Sequence, residues 1–359
     1  MEERLSDLGE KVFLARLRAR IPGGEGIRVG TGDDAALVET GPLTLVTTDS
    51  LVEAVHFRRE WCVPRLLGRK ALSINLSDVA AMGGTPRYAL VSLCLPPETT
   101  YRFVDELYDG LLERAAETGV AVVGGNVTAS TGPLQVGITL LGQGGDVWRR
   151  SGARPGDLLL LAGELGGAAA GLRLLESGVR CDAEGRIEGG PPFNEAERVA
   201  AQAALRAHLD PDPPVSFARA VAERPGVVHA AVDVSDGLSG DASNLAEESG
   251  HTLVLDTAAL PVHRGAWLVE QRGGFEALSL ALHGGEDYSL LLAAPPEARE
   301  ALTDIAVVWG VPFVVVGAVR EGSPEVRLKW GRSEVVLSRG SFDHFQAVSW
   351  RPGPIGAGG

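Results

Sequence analysis

Apolar positions along this chain keep changing between helical and strand spacing, and the changes mark out a mixed set of elements. Leu8, Val12, Phe13 and Leu17 fall on one helical face and predict an opening helix over residues 6–20. A glycine-rich loop, IPGGEGIRVGTGDDAAL, follows it. LTLVTTD (43–49) reads as a buried strand carrying Thr47, Thr48 and Asp49 to its C-terminal end. Residues 64–82 start on Pro64 and stop at Gly83-Gly84, which predicts a helix with Asn75 and Asp78 one turn apart on one face. YALVSLCL, VAVVGGN and PLQVGITLLG predict three more strands, with a helix over 98–119 between the first two.

RRSGARPGD (149–157) breaks the apolar pattern with glycine, proline and charge, and marks a boundary. The mixed pattern then resumes. DLLLLAG is a strand, GGAAAGLRLLESG a small-residue helix, and CDAEGRIEGGPPFN a polar excursion. Helices are predicted over 195–208 and 215–223, parted by LDPDPP. VVHAAVDVS feeds a DVSDG turn and a helix over 238–249, while HTLVLD, YSLLLAA and PFVVVGAV add strands. VRLKW and SEVVLS predict a terminal hairpin around Gly331. The expected class is α+β, a mixed α/β arrangement of sheets covered by helices, divided as 1–152, 153–320 and a C-terminal hairpin and tail over 321–359.

Composition narrows the function. The 359 residues include 33 Lys+Arg against 47 Asp+Glu, a formal charge of −14, which argues against nucleic acid or an anionic membrane as the principal partner. Cys62, Cys94 and Cys181 are odd in number and form no CxxC pair, so neither a disulfide framework nor a zinc site is signalled. No apolar run approaches a membrane span, and the expected compartment is the cytoplasm.

The chemistry concentrates in five acidic segments: GDDAA (32–36), TTDS (47–50), NLSDVAAMGG (75–84), DVSDG (233–237) and GGEDY (284–288). Carboxylates and hydroxyls in such turns are hard oxygen ligands suited to Mg²⁺ and the phosphates it carries. Each segment also has a plainer reading as a capped turn. VGTGDDAA fits a GxGxxA dinucleotide pattern, but Asp33 and Asp34 inside the turn would repel a pyrophosphate. Asp78 is a poor helix-interior residue among apolar neighbours and needs either a cation or a salt bridge to Lys70 or Arg69. In DVSDG, Ser235 or Asp236 would cap the following helix, or the helix amides would receive phosphate beside metal-holding Asp233 and Asp236. A lone histidine such as His56 is more often structural than functional.

As a set, TTDSLVEAVHF, KALSINLSDVAAMGGTP, RRSGARPGD, DVSDGL, GGEDYSLL and the terminal SFDHF resemble the thiamine-monophosphate kinases, a family of the aminoimidazole ribonucleotide synthetase (PurM-like) superfamily. The resemblance implies two PurM-like domains, a homodimer, and ATP-dependent phosphorylation of thiamine monophosphate to thiamine diphosphate with several Mg²⁺ ions. It implies metal ligation by Asp34, Thr47, Thr48, Asp49, Asp78, Asn126, Asp233 and Asp236. ATP would meet Gly125, Asn126, Arg150 and Ser235, and the thiamine phosphate would meet His56, Glu286 and Phe342. Two departures stand out. Asn126 replaces the family's aspartate, which removes a charge from one metal site, and Thr118-Gly119 stand where the family tends to have an aromatic residue.

A phosphate monoester is already largely anionic at neutral pH, its second pKa being about 6, so the expected reaction needs no general base. Direct in-line transfer is the expected course. Two other readings stay open on sequence alone: a different ATP-dependent synthetase of the superfamily, and a non-catalytic nucleotide or metal binder.

Overall fold

The protein is described by a computed structural model covering residue 4 and residues 10–30 and 36–340. Asp34 and Phe342 therefore lie outside the described residues, as do 6–9 of the opening helix. The remainder of that helix, α1, runs Glu10–Arg20, and a short pair, β1 (Ile27–Val29) and β2 (Leu37–Val38), follows.

Four strands build the first sheet: β3 (Thr44–Val52), β4 (Thr85–Leu95), β5 (Ala121–Ala129) and β6 (Gln135–Gln143), in the order β3-β6-β4-β5. One face is apolar, with Leu51, Val91, Leu93, Ile138 and Leu140 buried beneath α2 (Pro64–Ala81) and α3 (Tyr101–Thr118). The other face carries Val46 (66% exposed) and Leu90 (37% exposed), and no element among the described residues covers them.

Fourteen of the eighteen residues of α2 are buried, which suits a helix packed on all sides. It runs between the first sheet and a second, larger one. Gly68 and Gly110 make its contact with α3 unusually close: a Cβ on Gly110 would lie 1.7 Å from the Arg65 carbonyl oxygen, and one on Gly68 1.9 Å from that of Leu107.

The second sheet has seven strands: β7 (Leu158–Ala162), β10 (Ala230–Val234), β11 (Thr252–Asp256), β12 (Ser289–Ala294), β13 (Phe313–Arg320), β14 (Val326–Trp330) and β15 (Ser333–Val336). Their order is β10-β12-β7-β13-β11-β14-β15. Its central strands are buried on both faces, which explains the unbroken apolar runs LLLLA and SLLLAA. Leu160, Leu290 and Leu292 face the core shared with α2, while Leu159, Leu161 and Leu291 face a second core that includes α7 (Leu238–Ser249). The hairpin around Gly331 is present, but it is the edge of this sheet through the parallel β11–β14 pairing and not a separate unit.

A third apolar cluster joins α4 (Gly167–Glu176), α5 (Glu195–Leu209) and α8 (Arg264–Gln271). The polar excursion after α4 folds into a small pair, β8 (Arg180–Cys181) with β9 (Ile187–Gly189). LDPDPP, between α5 and α6 (Val215–Ala222), is an ion-paired tie between the two halves of the chain. Asp210 accepts from Arg69 at 2.9 Å and from Arg114 at 2.8 Å, and Arg114 reaches Asp212 at 2.6 Å. α9 (Ala277–His283) and α10 (Arg299–Trp309) complete the α-helices among the described residues, beside short 3-10 turns at Thr257–Ala259 and Pro296–Ala298.

Candidate active site

The C-terminal ends of β3, α2 and β10 meet the turn before β12, and together they enclose a cleft of about 630 Å³. Asp49, Asp78, Asp233, Ser235, Asp236, His56 and Glu286 all line it. They arrive from segments far apart in the sequence, and topology unites them.

Asp49 on β3 lies within hydrogen-bonding reach of Asp78 in the last turn of α2, and the Thr47 hydroxyl donates to the same Asp78 carboxylate. Burial, then the charges of Asp78 and Asp236, push the Asp49 carboxyl up to about 6. Across the cleft, the Ser77 hydroxyl donates to Asp233 at 2.8 Å. Burial and the Asp78 charge raise Asp233 to about 7. Arg150 works in the opposite direction, lowering Asp78, Asp233 and Asp241. Neither basic residue suggested as a salt-bridge partner for Asp78 serves it: Lys70 pairs with Glu286, and Arg69 with Asp210 and Glu117.

The DVSDG and GGEDY turns are laced by their backbones. Glu286 N–H donates to the Ser235 carbonyl at 2.7 Å and Tyr288 N–H to that of Val234 at 2.8 Å. A Cβ on Gly285 would stand 2.7 Å from the Ser235 oxygen, so this close approach requires glycine. Neither Ser235 nor Asp236 caps α7; the cap position is Gly237, at φ 110. The amides of Ser235 and Asp236 are taken instead by Asp241, at 3.0 Å each, so one carboxylate holds the loop where phosphate binding was expected. Asp241 is driven up to about 8 by burial and by Asp233 and Asp236. Asp287, the other acid of GGEDY, accepts from Gly166 at 2.6 Å and Ala168 at 3.1 Å and so caps α4 from a distance.

Backbone strain converges on the same place. Ala54 (φ 67), Glu286 (φ 68) and Tyr288 (φ 50) are the positive-φ non-glycine residues among those described, and all three line the cleft. Such conformations cost of order 1–3 kcal/mol each and collect at functional sites. No sequence motif announces them.

Away from its acidic end the cleft is walled by Phe57, Trp61, Ile74, Ala168 and Leu172. Glu286 and Glu176 are the carboxylates on this side, and Glu286 is the one in the GGEDY turn. It is tied to two residues the motifs did not single out as a pair: Lys70 at 2.8 Å and His208 at 3.1 Å. His56 accepts the Val52 N–H on Nδ1 at 3.0 Å, which leaves Nε2 to carry the proton of the neutral ring.

Three expected residues are placed elsewhere. Thr48 faces the uncovered side of the first sheet, where its hydroxyl donates to the Ile138 carbonyl at 3.0 Å and lies 3.1 Å from that of Thr139. Gly125 and Asn126 are on β5, the opposite edge strand from Asp49. Asn126 aligns with Ser92, Gly137 and Ser50 across the sheet, so three strand spacings, about 14 Å, separate it from β3.

The oxygen donors Asp49, Asp78, Asp233 and Asp236 repel one another and suit a hard divalent cation. Among the described residues no three His, Cys, Asp or Glu side chains converge into a closed metal cage. Mg²⁺ is bound in general through one or two carboxylates together with water and substrate phosphates.

Residues 32–143 match the N-terminal domain of the AIR synthase related protein family, and residues 154–329 match its C-terminal domain. The chain is 35% identical over 319 residues to the thiamine-monophosphate kinase of Rhodopirellula baltica, covering 86% of this chain and 89% of that one. It is 33% identical to the Bacillus subtilis enzyme of the same name, covering 89% and 94%. A crystal structure of thiamine-monophosphate kinase from Stenotrophomonas maltophilia superposes with a TM-score of 0.74 at 32% identity, covering 89% and 95%. AaThiL complexed with AMPPCP and TMP superposes at 0.68 and 29% identity, covering 93% and 98%. The hydrogenase maturation protein HypE of E. coli, at 19% identity and a TM-score of 0.70 over 92% and 96%, shares the fold.

Proposed function

This chain belongs to the AIR synthase related protein family and, within it, to the thiamine-monophosphate kinases, and on that footing we propose that the cleft between its two sheets is where ATP phosphorylates TMP to thiamine diphosphate. The observation that carries the assignment to this cleft is its polarity. One end gathers four aspartates contributed by both halves of the chain, and the rest is walled by apolar and aromatic side chains, with Glu286 and Glu176 as its carboxylates. The first suits polyphosphate and its counter-ions, the second the flat heteroaromatic part of the acceptor, an aminopyrimidine joined to a cationic thiazolium.

Asp49, Asp78, Asp233 and Asp236 would hold Mg²⁺, which would supply positive charge to offset that of the phosphate oxygens. Thr47 fixes the Asp78 carboxylate, Ser77 fixes Asp233, and Asp241 fixes the DVSDG backbone, so the donors keep their places before substrate arrives. In the transfer a phosphate oxygen of TMP forms a bond to the γ-phosphorus of ATP while the bond to the β–γ bridging oxygen breaks, and ADP leaves with that electron pair. The attacking oxygen is already ionised, so no side chain has to remove a proton. The test is ADP release with ATP, Mg²⁺ and TMP. Turnover is expected with TMP; none with TMP, or equal turnover without it, would discard the assignment.

Asn126 enters this reading through a second copy. The exposed Val46 and Leu90 on the open sheet face need cover, and β3 and β5 are the two free edges of that sheet. A homodimer joining these edges brings one protomer's Gly125 and Asn126 beside its partner's β3, a distance the single chain cannot span. Mixing subunits distinguishes the arrangements. Asp49→Asn and Asn126→Leu chains, each inactive alone, should regain roughly a quarter of wild-type activity when co-assembled, because half the dimers then hold one intact site. A dead mixture would place Asn126 and Asp49 in one chain's own site. We place the reaction in the cytoplasm, a reading supported by three unpaired cysteines.

A further inference from the structure

Glu286 stands at φ 68 in the GGEDY turn, with 25% of its side chain exposed toward the cleft, and behind it lie Lys70, 3% exposed, and His208, 5% exposed. Lys70 projects from α2 and His208 from the last turn of α5, so the three side chains join three separate elements. The Lys70 ammonium lies 2.8 Å from Glu286 Oε1, and His208 Nδ1 lies 3.1 Å from Oε2.

Resting on the kinase reading above, we infer that Lys70 and His208 are positioning residues which hold the Glu286 carboxylate at the apolar end of the cleft, so that it selects the amino-bearing aromatic ring of the acceptor. Each carboxylate oxygen has a buried nitrogen behind it, and the quarter of the side chain still exposed leaves it able to accept an N–H from the cleft side. The walls beside it, Trp61, Ile74 and Leu172, favour a flat apolar ring.

Three observations support the division of labour. Lys70 is 3% exposed and does not line the cleft, so any effect it has passes through Glu286, while His208 reaches the cleft wall with only 5% of its side chain exposed. The Lys70 charge, aided by the His208 hydrogen bond, overcomes burial and holds the Glu286 carboxyl well below the usual carboxylate range, while burial and the Lys70 charge keep the His208 ring on the neutral side. The left-handed backbone at Glu286 is costly, and ties to two rigid helices restrain it. Lys70 and Asp78 share α2 two turns apart, so one helix sets both the ring-recognising and the phosphate-facing ends of the cleft.

The test is steady-state kinetics and direct TMP binding for Lys70→Met, Glu286→Gln and the double variant. Each single change should raise KM and Kd for TMP by roughly 10–100-fold, with kcat and KM for ATP within about threefold of wild type. The double variant should be no worse than Glu286→Gln alone, since Lys70 acts through that carboxylate. If Lys70→Met fails to fold, His208→Leu against His208→Asn asks the same question: leucine should raise KM for TMP and asparagine, keeping an N–H donor, should restore it. An unchanged KM for TMP, additive losses in the double variant, or parallel losses in kcat and both KM values would overturn the inference. Absence of TMP turnover by the unaltered chain would instead remove the kinase reading beneath it.

Discussion

Asp49→Asn is expected to lower kcat by roughly 10³-fold and, at the same time, to make the metal-free protein more stable to heat. Asp49 lies beside Asp78 and is felt by Asp236, and burial adds to the cost of its charge. The resulting carboxyl, raised from 3.8 to about 6, binds its proton more tightly in the folded chain than in the unfolded one. The stabilisation from that proton is present below the unfolded value near 3.8 and is lost as pH rises through about 6. At neutral pH the ionised group therefore strains the fold by an amount of order 1–3 kcal/mol, and an amide of the same shape relieves it. The unfolding temperature in EDTA should rise by a few degrees at pH 7.5 and change little at pH 4, while turnover collapses. A variant that loses stability at pH 7.5, or keeps more than a tenth of its activity, would contradict this.

Asp49 is legible in the amino-acid sequence because a carboxylate flanked by hydroxyls at a strand end has few plainer uses in combination with four similar segments. Its neighbour Thr48 marks the limit of a motif. In a strand, successive side chains point to opposite faces, so TTD cannot present all three residues to one cleft, and the period of two is there in the sequence to say so. Thr47 and Asp49 do share a face, and Thr48 is bonded to Thr139 on the other. The strands and long helices are legible from apolar spacing. The short helices Arg264–Gln271 and Ala277–His283 are not, because each spans only about two turns, a window too short for apolar spacing to mark a helix. Nor can spacing pair Glu286 with Lys70, 216 positions away, or show that Asp241 and Asp287 serve backbone amides and not ligands. Those are facts of tertiary packing, as are the positive φ values around the cleft.

Gly110→Ala should show how far the site depends on that packing. Helix propensity favours alanine here by ~1 kcal/mol, since Gly110 lies inside α3. The contact argues the other way and is larger: the new Cβ would stand 1.7 Å from the Arg65 carbonyl oxygen, on backbone that cannot swing aside. α2 and α3 must separate, and overpacking of this kind costs ~3 kcal/mol, so a net loss of stability is expected. The consequence reaches the cleft because Lys70, Ser77 and Asp78 all ride on α2. A displacement of about 1 Å in positioning groups can cost ~10²-fold in rate. Gly110→Ala, a change outside the residues lining the cleft, should therefore lower both the unfolding midpoint and kcat. Gly145→Ala is the matched control, with nothing within 4 Å of its added carbon, and should leave both within error. Equal behaviour of the two variants in denaturant titration and in turnover would show that α2 can shift without carrying the cleft residues out of place.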